Sequence, residues 1–191
     1  MNYFISTGEL SGDLHASYIV EKIKNLDKNA KVYAIGGMNL KKQDVEIVRD
    51  IDSLAIMGFV EVVKNFNFLK KVLEETVEFI LSNNIDRVVL VDYGGFNLKL
   101  LERLKLKKPS LKITYYIPPK VWIWGKKRVP KIAKADEILV IFPWEVDFYK
   151  KENVKALYFG NPFMEKYEKI TKKGDNILLL PGSRKQEITK L

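Results

Sequence analysis

"YFISTGELSGDLHAS", residues 3–17, is the stretch on which the fold turns. Tyr3, Phe4 and Ile5 make a short apolar run that ends in a turn of small residues. A helical pattern follows, with Leu14, Ile19, Ile23 and Leu26 on one stripe. Strand, glycine-bearing turn and amphipathic helix in that order form the opening unit of a parallel βαβ sheet. The spacing predicts a helix over 12–25 with Ser11 as its N-cap. Gly8 and Gly12 permit close backbone approach, but Glu9 and Asp13 stand where a phosphate cradle would want no carboxylate. The Gly8-x-x-x-Gly12 spacing matches neither the dinucleotide fingerprint nor the P-loop. Two readings stay open on these residues alone: Ser11 and Asp13 cap the helix while Glu9 lies exposed, or the acids face a ligand.

Downstream, short β-rich runs alternate with helical ones. Strands are expected at 3–6, 31–35, 87–91, 112–117, 137–141, 156–159 and 177–180. Most are continuous apolar runs, as in a sheet covered on both faces. Helices are expected over 67–82, 97–106, 124–134 and 144–151. The clearest, 67–82, puts Leu69, Val72, Leu73, Val77 and Ile80 on one face and lysine–glutamate pairs largely on the other. The fold class this implies is α/β, a doubly wound and mostly parallel sheet. "KITKKGDN" (169–176) reads as a polar linker, after which "ILLL" and "PGSRKQEITKL" start one further βα unit. The expected division is a first domain over 1–168, a linker over 169–176 and the start of a second domain over 177–191.

Composition narrows the function classes. The chain has 191 residues, 47% hydrophobic and 30% charged, which suits a globular domain. No cysteine and a single histidine, His15, argue against a disulfide framework and against a zinc site; no metal and no cofactor is expected. No signal peptide or membrane-spanning run is evident, so a cytoplasmic location is expected. A net charge of +9 points to an anionic partner: nucleic acid, an acidic membrane face or a phosphorylated ligand. Lysine used simply as a surface residue gives the same number.

Three further stretches carry chemistry. In "VLVDYGGFN" (89–97) an apolar strand ends in Asp92, followed by two glycines and by Asn97 at a helix start. An acid at that place faces the ligand crevice of a doubly wound sheet and suits general-base work; capping the next helix is the alternative. "YYIPPKVWIWGKKRVPKIAK" (115–134) sets Trp122 and Trp124 beside Lys126, Lys127 and Arg128, fit to stack on a base, a sugar or a membrane interface, or to be a core tryptophan before a basic helix. "LAIMGFVEVVKNFNFLKKVL" (54–73) holds more apolar residues than one buried face needs, interleaved with lysines, as in segments that rest on an anionic bilayer. A partner-protein patch or plain core would use the same letters.

Together these stretches resemble the lipid-A-disaccharide synthase family, inverting glycosyltransferases of the two-domain GT-B fold. "TGELSGD" resembles the family's Gly-Glu-x-Ser-Gly-Asp opening, "IGGMNL" its Gly-Gly-x-x-Met-like turn, and "LAIMGFVEV" its Leu-Ala-x-Met-Gly-x-x-Glu-Val. "YYIPPKVWIWGKKRV", "IFPWEVDFY", "FGNPFME" and "LLLPGSRKQEI" follow in the family's order. The resemblance implies a Rossmann-like N-terminal domain of a GT-B fold that joins UDP-2,3-diacylglucosamine to 2,3-diacylglucosamine 1-phosphate, forming a β-1,6 disaccharide and UDP. It implies Asp92 as the base for the acceptor hydroxyl, and Gly8, Glu9, Ser11, Asp13, Asn97, Trp122 and Arg184 as substrate contacts. It also implies peripheral attachment to the inner face of the inner membrane, on an anionic surface, through Phe59, Val60, Val63, Phe66 and Leu69, with no nucleic-acid partner. Two departures stand out. Gly95 takes the place of a second family acid, and the family's chain is nearly twice as long, with its UDP-binding domain after "PGSR". Alone, the chain is expected not to turn over. A basic anion- or nucleic-acid-binding module without catalysis is the alternative, and a nucleotide-sugar epimerase of the same architecture is a third.

Overall fold

The computed structural model describes residues 1–55, 66–123 and 125–166. The elements run in this order: β1 (Asn2–Ser6), α1 (Leu10–Leu26), β2 (Lys31–Gly36), α2 (Met38–Lys41), β3 (Glu46–Asp50), α3 (Asp52–Ala55), α4 (Phe66–Ser82), β4 (Arg87–Val91) and α5 (Gly94–Lys107). There follow β5 (Lys112–Tyr116), a 3-10 turn over Lys126–Arg128, α6 (Val129–Ile132), β6 (Glu137–Val140), α7 (Pro143–Lys151), β7 (Leu157–Tyr158) and α8 (Phe163–Lys166). The strand expected at 177–180, the linker 169–176, Trp124, Arg184, Phe59, Val60 and Val63 lie outside the described residues, as does the side chain of Phe66.

All strand pairs are parallel, in one seven-stranded sheet of order β3-β2-β1-β4-β5-β6-β7. Strand order grows one way through β1, β2 and β3, then restarts on the far side of β1 with β4. Right-handed crossovers therefore place α1 and α2 on one face and α3 to α7 on the other, while α8 comes back to the first face, where Phe163 meets His15. The side chains agree. Ile5, Val89 and Val91 pack with Ala16, Val20 and Leu40 on the α1–α2 face. Their strand neighbours Phe4, Val88 and Leu90 pack with Val72, Val77, Leu101 and Leu104 from α4 and α5. Period-two alternation with apolar residues on both sides accounts for the unbroken hydrophobic runs. Each fully buried Leu, Val or Phe side chain contributes roughly 1.5–3 kcal/mol of transfer free energy.

Three expectations need correction. The strand β3 (Glu46–Asp50) was not expected; it is an edge strand whose residues are exposed or half-buried, so charged side chains break the apolar run. The helix placed at 124–134 is a 3-10 turn and a four-residue helix, because Pro130 lacks an amide hydrogen and can stand only in a first turn. Ser11 is not the N-cap of α1; Glu9 holds that position in extended conformation, and Ser11 lies exposed in the first turn.

Candidate active site

The order of strands makes a topological switch between β1 and β4, where the chain leaves the sheet in opposite directions. In open α/β sheets the crevice outside the carboxyl ends at such a point is where ligands bind. Two loops form it here: Thr7–Gly8–Glu9 after β1 and Asp92–Tyr93–Gly94 after β4.

The β4 loop is strained. Asp92 and Tyr93 both take left-handed backbone angles, φ 48° and 49°, although neither is glycine. Such residues cost of order 1–3 kcal/mol each and persist only where their surroundings hold them. The hold is visible. The Asp92 carbonyl accepts from Asn97 Nδ2 at 2.9 Å and from the Tyr115 hydroxyl at 3.1 Å. The Asp92 amide donates to the Tyr116 carbonyl at 3.1 Å. Asn97 Nδ2 also reaches the carbonyls of Ser6 at 3.1 Å and Val91 at 3.3 Å, while its Oδ1 accepts from Ser6 Oγ at 2.7 Å. One fully buried amide thus ties the end of β1 to the end of β4. The N-cap of α5 falls to Tyr93, so Asp92 does not hold that position; its side chain is half-buried at the crevice.

The facing loop fits closely. A Cβ on Gly8 would collide with the Tyr93 ring, and one on Gly94 with the Pro119 ring. The close approach these glycines permit is therefore between neighbouring loops of the protein. Glu9 is exposed at the opposite lip. Burial, then the nearby charge of Glu9, pushes the Tyr93 phenol up. Tyr115 lies deeper; burial first and then the Asp92 charge push its hydroxyl well above the usual range, so it stays a neutral donor to the Asp92 carbonyl.

Asp13 has a different place from the one expected. It is fully buried, and its carboxylate accepts from the amides of Gly37 at 2.6 Å, Asn39 at 2.8 Å and Leu40 at 3.4 Å. It satisfies the first amides of α2, the helix after β2, and does not hold the N-cap of its own helix, which falls to Glu9. Asn97 is likewise committed to the backbone. Trp122 is half-buried, its indole N–H donating to Glu145 Oε1 at 3.2 Å and its ring meeting Trp144 edge-on at 4.4 Å. Glu145, 5% exposed, also accepts from the Phe142 amide at 3.1 Å, so Trp122 ties the loop after β5 to the start of α7. The basic run behind it is partly neutralised: Lys126 pairs with Glu152 at 2.6 Å, and Lys131 and Lys134 pair with Glu102. Leu69, expected at a membrane, is half-buried and lines a cleft between α4 and α5. Ser6 and Tyr115 were not singled out from sequence, since only the fold brings Ser6 to Asn97 and Tyr115 to Asp92; Tyr93, next to Asp92 in the chain, carried no signal of its own.

The doubly wound parallel sheet is that of one half of the GT-B architecture. It superposes on UDP-GlcNAc 2-epimerase from Neisseria meningitidis, solved bound to UDP-GlcNAc, with a TM-score of 0.61 at 10% identity, over 84% of this chain and 46% of that one. It superposes on MurG from Acinetobacter baumannii with a TM-score of 0.53 at 9% identity, over 84% and 45%. At such identities the likeness is one of fold. The family is fixed by sequence: residues 3–191 match the lipid-A-disaccharide synthetase family model, and the chain belongs to that family. Lipid-A-disaccharide synthases from Geobacter metallireducens and Persephonella marina are 34% and 35% identical to it, each over 98% of this chain and 52% of the relative. That from Coxiella burnetii is 32% identical over 96% and 52%. The chain spans about half the length of these curated relatives.

Proposed function

We propose that the chain supplies the acceptor side of an inverting glycosyltransferase that moves 2,3-diacylglucosamine from UDP to 2,3-diacylglucosamine 1-phosphate, forming a β-1,6 disaccharide and UDP. The observation that carries this is the strained Asp92–Tyr93 corner at the β1–β4 switch, clamped by Asn97 and Tyr115. Backbone strain held by a dedicated buried network is expected where a side chain must be aimed.

Asp92 accepts the proton of the acceptor 6-hydroxyl as that oxygen attacks the anomeric carbon of the donor. The new carbon–oxygen bond forms on the face opposite the departing UDP, which leaves with the electrons of the broken bond, so one displacement inverts the centre. Glu9, across the crevice, accepts hydrogen bonds from sugar hydroxyls and sets the angle of the acceptor. Gly95 replaces the second family acid, which leaves Asp92 alone in the base role within that motif. In this reading 1–168 is the acceptor-side domain, 169–176 the linker and 177–191 the start of the half that takes the nucleotide, with Arg184 toward a phosphate oxygen. Residues Phe59, Val60, Val63 and Phe66 meet an anionic membrane on its cytoplasmic side, where both lipids reside.

Transfer assayed in the protein carrying both halves of the fold tests the base. Asp92→Asn should lower kcat about 10²–10⁴-fold with little change in KM. Near-normal kcat would refute the assignment. Glu9→Gln should act mainly on KM for the acceptor.

A further inference from the structure

We propose that the cleft between α4 and α5 holds an acyl chain of the acceptor lipid, with Gly95 as the opening through which the chain passes from the sugar at Asp92. This rests on the transferase reading and names what the same site does with the lipid part of its substrate.

The cleft has a volume of about 420 Å3, within the usual span of small-ligand sites. Its walls are Leu69 and Leu73 of α4 and Tyr93 and Phe96 at the start of α5, the two rings stacked at 5.6 Å. Tyr93 directly follows Asp92, so the apolar wall begins at the crevice. The rim is basic. Lys70, Lys99 and Arg103 line it, and Glu102, which also lines it, is paired to Lys131 at 3.1 Å and Lys134 at 3.3 Å. Arg103 lies 3.3 Å from Glu74. Three cations and one carboxylate thus line the trough, and that carboxylate is paired to lysines of its own. An apolar floor under a cationic rim fits an amphiphile with an anionic head, and a diacylated sugar phosphate has that form.

Gly95 is exposed at the mouth of the cleft, and a Cβ built there meets no atom within 4 Å. Glycine is not required at 95 for packing, nor for backbone, since its φ is not positive. It lines the cleft, so a side chain at this position would stand in its mouth. A carboxylate at this place would put charge in the mouth of an apolar trough.

Calorimetric titration of the 191-residue chain with monomeric octyl, decyl and dodecyl phosphate tests the proposal. Affinity should rise about three- to fourfold per added methylene. Gly95→Leu should weaken dodecyl phosphate on the order of tenfold and flatten the dependence on chain length. Its melting temperature should be unchanged or higher, because leucine favours a helical first turn more than glycine does. Leu69→Gln should flatten the dependence in the same way from the opposite wall. Binding with no chain-length dependence, or Gly95→Leu and Leu69→Gln both binding as wild type, overturns the proposal. Sedimentation with phosphatidylglycerol vesicles should be unchanged in Gly95→Leu. A parallel loss of vesicle binding would make the cleft a bilayer anchor and overturn its assignment to the acceptor. The two readings fail separately. Cleft binding is measured without donor, so its insensitivity to Gly95→Leu leaves Asp92 as base, while wild-type transfer by Asp92→Asn overturns the base and leaves the cleft.

Discussion

Replacing Asn97 by alanine removes the amide that joins β1 to β4. The bond from Ser6 Oγ goes, and so do the two amide protons that Nδ2 shares among the carbonyls of Ser6, Val91 and Asp92. Asp92 keeps its bond from Tyr115. At about 1 kcal/mol net for each neutral bond, with an added penalty for buried groups left unpaired, the loss comes to about 3–5 kcal/mol. That is a large part of the roughly 5–15 kcal/mol by which a domain is stable. Asn97→Asp sharpens the test. Its size is conserved and one oxygen still accepts from Ser6 Oγ, but the other oxygen then faces three carbonyls that want a donor. Aspartate at 97 should therefore be no better tolerated at neutral pH than alanine, against the ordinary expectation for an isosteric change. Urea unfolding followed by circular dichroism gives both values, compared at equal m. A loss under about 1 kcal/mol for alanine, or an aspartate variant close to wild type, would refute the clamp and with it the account of how the Asp92 corner is held.

Two further outcomes follow from buried polar groups. Asp13→Ala leaves the amides of Gly37 and Asn39 without their acceptor and should cost about 2–4 kcal/mol, whereas a ligand-binding Asp13 would lose substrate affinity with stability intact; urea midpoints with and without acceptor separate the two. His15, 7% exposed, is boxed edge-on by Tyr18, Tyr116 and Phe163, and its Nδ1 has no hydrogen-bond partner among the described residues. Burial lowers its pKa from 6.5, so the unfolded chain takes up its proton first as pH falls. Stability linked to His15 is thus complete above pH 6.5 and declines below it toward the lower folded value. His15→Phe should lose less melting temperature between neutral and mildly acidic pH than wild type; equal losses would refute the linkage.

Sequence and structure agree where one local cause decides the outcome. The opening strand–turn–helix, the interior strands β4 and β5 and the amphipathic α4 were legible because burial on both faces, or on one stripe, marks the letters directly. β3 was not, because an edge strand half in water needs no apolar run, and its pairing with β2 is a tertiary fact. Asp92 was legible as an acid at the end of an apolar strand. The roles of its neighbours were not. Asp13 reads as a local cap, yet its partners begin 24 residues away at Gly37. Asn97 reads as a ligand contact, yet it is fully buried under the corner it supports. Tyr115 carries no signal until β5 pairs with β4 and brings its hydroxyl to Asp92. In each case the group's chemistry was visible and its partner was not, since the partner lies on another strand or loop.

The placement of the acceptor sugar at the β1–β4 switch is tested most directly by amide chemical-shift mapping of the chain during titration with a short-chain 2,3-diacylglucosamine 1-phosphate. The account predicts the largest shifts at Gly8, Glu9 and Asp92 through Gly95. Shifts confined to the amino-terminal edge of the sheet, around Lys31 and Lys112, would contradict it.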